Sequence, residues 1–310
     1  MIEHRKIYFF LILLLIVICS SCEHKKHFVA SHEKIRIVCT TSMIADLVKN
    51  IGGDKVLLTS LMGPGVDPHQ YKATPGDIRA LFEADAIIYH ALHLEAKMAE
   101  LFEKMSKSRT TVAITKNLTR NALIQVNEGM YDPHIWFDVK LWKMLVPEVV
   151  VILSKLHPGN SEYFRQNAES YSIKLDSLNE YVHRKAAELD KSKRILITAH
   201  DAFGYFGRAY GFQVVGLQGI STDAEAGAMD VSNLVKFILE HKVKAVFIES
   251  SVPVKSIKAV QEAVKSYGWN VRIGGELFSD SMGSAGTNEG SYIGMITHNI
   301  NTVVNALKGY

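Results

Sequence analysis

Between Ser161 and Asp190 the chain contains neither proline nor glycine. Tyr163, Phe164, Ala168, Tyr171, Leu175, Leu178, Tyr181 and Val182 recur there at helical spacing, so they form one apolar face. A helix of about 30 residues is about 45 Å long at 1.5 Å per residue, several turns beyond the globular average. Such an element joins two bodies or runs along both.

Strand and helix patterns alternate on each side of it. Before it, IRIVCT (35–40), VLLTSLM (56–62), AIIYH (86–90) and TVAIT (111–115) read as strands. The segments between them predict helices over MIADLVKNI, capped by Ser42 and stopped at Gly52-Gly53, from Thr74-Pro75-Gly76-Asp77 onward, and over LEAKMAELFEKM. After it come RILITA (194–199), FQVVGL (212–217), KAVFIES (244–250) and WNVRIGG (269–275). VSNLVKFILEH, SIKAVQEAVKSYG and the final YIGMITHNINTVVNALKG are the expected helices. This alternation predicts an α/β fold of two lobes, each a parallel sheet covered by helices. A single helical connector is expected to limit hinge opening between them.

The N-terminus carries an address. Arg5 and Lys6 precede the apolar run Ile7 to Ile18, too short to span a bilayer comfortably and proportioned as a secretory signal. Cys19-Ser20-Ser21-Cys22 follows and resembles a lipobox, with Cys19 where Leu is usual and Cys22 as the residue to be lipidated. The expected division is a signal peptide over 1–21, a tether over 22–34 holding His24, His27 and His32, a first lobe over 35–160, the linking helix over 161–191 and a second lobe over 192–310. With Cys22 acylated, Cys39 has no disulfide partner and reads as a packing residue. Cleavage removes two basic residues and one acidic residue, so the formal charge falls from +3 to +2.

That balance, 35 basic against 32 acidic residues, gives no electrostatic footprint for nucleic acid. With 21 glycines and 7 prolines in 310 residues, the chain is not collagen-like or low-complexity. The single long apolar run excludes a polytopic membrane protein.

Among 13 histidines, three stand beyond predicted strands, where parallel α/β sheets bind ligands. His69 lies in GPGVDPHQY, His134 in YDPHIWFD and His200 directly after RILITA; Asp280, in ELFSDSMG, completes the group. Asp-Pro-His occurs twice, and rigid proline fixes the loop that carries each imidazole. Three imidazoles and a carboxylate suit zinc and also admit manganese or iron, whereas calcium or magnesium would want mostly oxygen. Asp67, Asp132, Asp201, Glu249 and Glu276 are the candidates for orienting the rings. Trp136, Phe203, Tyr205 and Phe206 are candidates for an apolar wall that keeps water out.

The strings GPGVDPHQY, DPHIWFD, ITAHDAFGYF, VFIESS and LFSDSMG, with SYIGM and Asn299 near the end, resemble in order and spacing the TroA-like metal-binding lipoproteins of bacterial zinc and manganese ABC transporters. The likeness covers about residues 35–308. It implies that His69 and His134 from one lobe and His200 and Asp280 from the other hold one divalent ion, with the long helix as spine. It also implies an exported, lipid-anchored monomer whose partner is the permease in the inner membrane. The long His- and acid-rich loop usual in zinc-specific relatives is missing between His90 and Thr111, while His200 stands where manganese-specialised relatives often carry Glu. The metal therefore stays open between zinc and manganese. A metal-dependent hydrolase and a surface adhesin are the alternative readings; no GxSxG, HExxH or Cys/His nucleophile motif supports an enzyme.

Overall fold

Residues 34–309 are described in the computed structural model, so the expected leader, Cys22 and most of the tether lie outside the described residues. The first lobe threads β1 (Ile35–Cys39), α1 (Ser42–Gly52), β2 (Val56–Ser60), α2 (Pro75–Glu83), β3 (Ala86–Tyr89), α3 (Ala99–Ser106) and β4 (Thr110–Ala113). Its strands form one parallel sheet in the order β2-β1-β3-β4. Strand β1 shows why the run is nearly all apolar. Ile35, Ile37 and Cys39 enter one buried cluster, while Val38 enters another with Leu81, Met98 and Phe102 on the opposite face. Cys39 is a buried free thiol, as its strand pattern suggests.

Two local expectations are corrected. The cap of α1 is Thr41, whose hydroxyl accepts the Ile44 N–H at 3.4 Å; Ser42 is the first helical residue. Ser42 Oγ instead accepts the Met282 N–H at 3.0 Å, which ties α1 to the second lobe. The helix expected from Leu94 starts later, as a 3-10 turn at 96–98 followed by α3. Ala91, Leu92 and His93 all have positive φ, and Glu95 holds this left-handed turn by accepting the N–H groups of His90 (2.7 Å) and Ala91 (3.0 Å).

A short hairpin, β5 (Gln125–Asn127) with β6 (Met130–Tyr131), then leads through the His134 loop to α4 (Val139–Lys143) and α5 (Val146–Leu156). The long helix α6 spans Ser161–Ala187. It buries Phe164, Ala168, Tyr171, Leu175, Leu178 and Val182, and packs against α1, α4 and α5 on one side.

The second lobe comprises β7 (Ile195–His200), α7 (Gly204–Tyr210), β8 (Gln213–Gln218), α8 (Ala228–His241), β9 (Ala245–Glu249), α9 (Lys255–Ser266), β10 (Arg272–Leu277) and α10 (Tyr292–Lys308). Helix α10 packs along α6. The strands form two parallel pairs, β7-β8 and β9-β10, with β7 lying against β9 without a shared ladder. At the end nearest the site the reason is visible: the His200 N–H is given to the Glu249 carboxylate rather than to a backbone carbonyl.

One apolar cluster crosses both lobes. Trp136, Trp142 and Phe164 belong to it from the first lobe and α6, and Phe203, Phe247, Tyr292 and Ile300 from the second. Trp142 stacks on Tyr292 at 5.2 Å, and the Tyr292 hydroxyl donates to the Trp136 carbonyl at 2.7 Å. Each large side chain taken out of water contributes about 1.5–3 kcal/mol. A wide opening that exposed several of them would be costly.

Candidate metal centre

The two Asp-Pro-His loops fold alike. Asp67 Oδ1 accepts the His69 N–H at 2.9 Å, and Asp132 Oδ1 accepts the His134 N–H at 2.9 Å. A short carboxylate closing onto the backbone two residues on is the Asx turn expected of this tripeptide. The rings are then held differently. His134 Nδ1 donates to Asp132 Oδ1 at 2.7 Å, whereas the second Asp67 oxygen accepts the Thr222 hydroxyl of the other lobe at 2.5 Å.

In the second lobe the site forms at carboxyl ends of strands, as parallel sheets dictate. His200 ends β7 and Glu249 ends β9. The His200 N–H donates to Glu249 Oε1 at 2.8 Å, and His200 Nδ1 lies 2.5 Å from Glu249 Oε2. Asp280 follows β10 by three residues. Gly216 on β8 makes this crowding feasible, since a Cβ there would sit 2.5 Å from the Asp201 nitrogen.

Their remaining nitrogens converge. His69 Nε2 and His134 Nε2 are 3.3 Å apart, His134 Nε2 is 3.4 Å from Asp280 Oδ1, and His200 Nε2 is 3.3 Å from Asp280 Oδ2. All four ligand atoms lie within 4.8 Å of one another, and no member is more than 3% exposed. A tetrahedral ion with bonds of about 2.1 Å separates its ligands by about 3.4 Å; the His69–His134 spacing matches this, and His134 and His200 each approach a different oxygen of Asp280 at a similar distance. With Nδ1 of His134 and His200 directed at carboxylates, Nε2 is the atom each ring offers to a cation.

The carboxylates around the cluster favour positive charge on two of its three rings. Burial lowers His69 to about 4, only partly offset by Asp280. Burial also opposes charge on His134, but Asp132 and then Asp280 outweigh it and raise the imidazole to about 9. For His200 burial is likewise outweighed, by Glu249 and then Asp280, which lift it well above the histidine range. Burial pushes the Asp280 carboxyl up, yet His200 and His134 hold it well below the usual range. A metal ion bound at Nε2 of His134 and His200 competes with the protons that these carboxylates favour there.

Of the five acids named as ring-orienting candidates, Asp132 and Glu249 face rings and Asp67 holds a ligand backbone. Asp201 uses its own N–H on the Gly219 carbonyl at 3.3 Å, and Glu276 offers His298 only its carbonyl; neither touches a ligand ring. In the expected apolar wall, Trp136 stands edge-on to His134 at 5.2 Å and Phe203 stacks on Phe137 at 4.1 Å. Tyr205 does more than exclude water, because its hydroxyl donates to the Asp132 carbonyl at 2.8 Å and accepts the Ile124 N–H at 3.0 Å. Phe206 packs between Phe203, Tyr210 and Phe212, one layer out.

Two supports have no clear sequence signal. His90 is fully buried, its Nε2 donates to the Pro133 carbonyl at 2.6 Å, and its ring meets Trp136 edge-on. Burial drives it down to about 3, so it stays neutral and pins the loop that carries His134. Ser251, two residues beyond Glu249, reaches Asp280.

Two lobes on one helical spine, with a sealed cluster of nitrogens and a carboxylate between them, are the architecture of a solute-binding protein for a small cation. The family model described as zinc-uptake complex component A, periplasmic, matches residues 37–306, and the chain belongs to that family of metal-binding components of ABC transporters. It is 52% identical over 278 residues to the zinc-binding protein TroA of Treponema pallidum, covering 90% of each chain. It is 47% identical over 280 residues to the manganese-binding lipoprotein MntA of Bacillus subtilis, covering 90% of this chain and 92% of that one. The solved structure of the periplasmic zinc-binding protein TroA superposes with a TM-score of 0.87 at 53% identity, over 88% of this chain and 99% of that one.

Proposed function

We propose that His69, His134, His200 and Asp280 bind one zinc or manganese ion outside the cytoplasm and that the chain hands it to a membrane permease. The observation that carries this reading is the convergence of three imidazoles and one carboxylate, with ligand atoms within 4.8 Å of one another, in a buried cluster. The names of the relatives bring both metals to the chain, and an imidazole-rich set suits either. Export fits a family of periplasmic and lipoprotein components, with a lipid at Cys22 as the anchor and a monomer as the working unit. Four protein ligands suit a carrier that must hold and release a bare ion, whereas a zinc hydrolase keeps a coordination position open for water. Neither the hydrolase nor the adhesin alternative draws support from these relatives.

Cells lacking the gene are expected to lose high-affinity uptake of radiolabelled zinc or manganese, and the intact gene, but not one encoding His134→Ala, restores it. Uptake of both ions unaffected by the deletion would remove the importer role.

A further inference from the structure

We propose that Lys97, Thr222 and Asp223 latch the loop after β8 onto the segment carrying His69, and so set the rate at which the ion leaves; this rests on the four-ligand reading above. No member of the cluster is more than 3% exposed, so an ion reaches water only when part of the surrounding rim moves. Elsewhere the lobes are joined by apolar side chains such as Trp142 and Tyr292, whose exposure is costly. Beside His69 they are joined by polar groups that water takes up as soon as they part. The loop concerned, bounded by Gly219 and Gly227, leaves its sheet at the level of the site, because Gln218 is the register partner of His200.

Two adjacent residues of this loop grip the His69 segment on both sides of the ligand. The Thr222 hydroxyl donates to Asp67 Oδ2 at 2.5 Å, while Asp67 Oδ1 accepts the His69 N–H. Asp223 Oδ1 accepts the Gln70 side-chain amide at 2.7 Å and lies 2.9 Å from Lys97 Nζ. Lys97 also donates to the Gln70 side-chain oxygen, which closes a triangle across the two lobes. Ser221 supports Asp223 from within the loop, its hydroxyl donating to Oδ2 at 3.2 Å. Lys97 beside Asp223 holds its carboxyl below the usual range, so the pair stays charged. With Lys97 29% and Asp223 51% exposed, the triangle stands in solvent and is weak. Weakness suits a latch, which holds the segment between exchanges and opens without exposing apolar core.

The test is stopped-flow release of zinc, and separately of manganese, from the loaded protein into excess chelator. Lys97→Ala and Asp223→Ala are each expected to speed release about two- to fivefold, the range that exposed ion pairs support. Together they speed it no more than Asp223→Ala alone, because they remove one bridge. Adding Thr222→Val to Asp223→Ala raises the acceleration to about tenfold or more. Raising sodium chloride from about 0.05 M to about 0.5 M speeds release from wild type but not from Lys97→Ala, since the ion pair is what salt screens. X-ray absorption of each loaded variant retains the wild-type shell. Release rates unchanged in every variant, additive effects of Lys97 and Asp223, or an altered shell would each overturn the latch while leaving the four-ligand site standing. Wild type that binds neither ion stoichiometrically overturns the site itself and this inference with it.

Discussion

His134→Ala is expected to weaken ion binding by about 100-fold or more while leaving the lobes folded. Four-ligand zinc sites bind with about 10–16 kcal/mol, or roughly 3 kcal/mol per ligand, and each 1.4 kcal/mol is about tenfold in affinity. His134 lies within 3.4 Å of both His69 and Asp280. Its backbone N–H still reaches Asp132 after the ring is removed, so the Asx turn survives. The shared apolar core does not depend on the imidazole. A competition titration reads the affinity and circular dichroism reads the fold; an unchanged Kd removes His134 from the ligand set.

The second large effect is thermal. An ion that binds only the native state stabilises it by about 4 kcal/mol when present at 1,000 times its Kd. For a body of this size each kcal/mol raises Tm by about 2–4 °C, so saturating metal is expected to raise it by about 8–16 °C. The increment has a definite pH dependence. Because the empty site raises His134 to about 9, protonation stabilises the empty protein fully below the ordinary histidine pKa, and that stabilisation is lost as pH rises through 9. The loaded site must be free of those protons. The metal-induced rise therefore shrinks as pH falls from 9, and calorimetric scans with and without metal at several pH values measure it. A rise independent of pH would mean that the ion sits elsewhere.

The parts legible in the sequence were those coded locally. The spacing from Phe164 to Val182 defines the buried face of α6, and each Asp-Pro-His carries its own proline and closing carboxylate. What orients the cluster was not legible, because it is made by residues distant in the chain. Glu249 meets His200 across 49 residues, and nothing in FIESS separates it from Glu276, which points away. His90 ends the predicted strand AIIYH, and nothing in that run shows that its ring reaches the Pro133 carbonyl 43 residues on. Ser42 looked like a cap because it precedes the helix, whereas Thr41 had the extended backbone that a cap requires. The hairpin and α4 are not legible because they are short, and α5 is not because its apolar run VPEVVVIL does not distinguish helix from strand.

X-ray absorption on the protein loaded with a single equivalent of zinc, and separately of manganese, addresses the ligand set itself. Three imidazole nitrogens and a carboxylate around one ion per chain are the expected result, as the approach of His69, His134, His200 and Asp280 requires. A shell of oxygens alone, a sulfur ligand, or no ordered shell at one equivalent would contradict it.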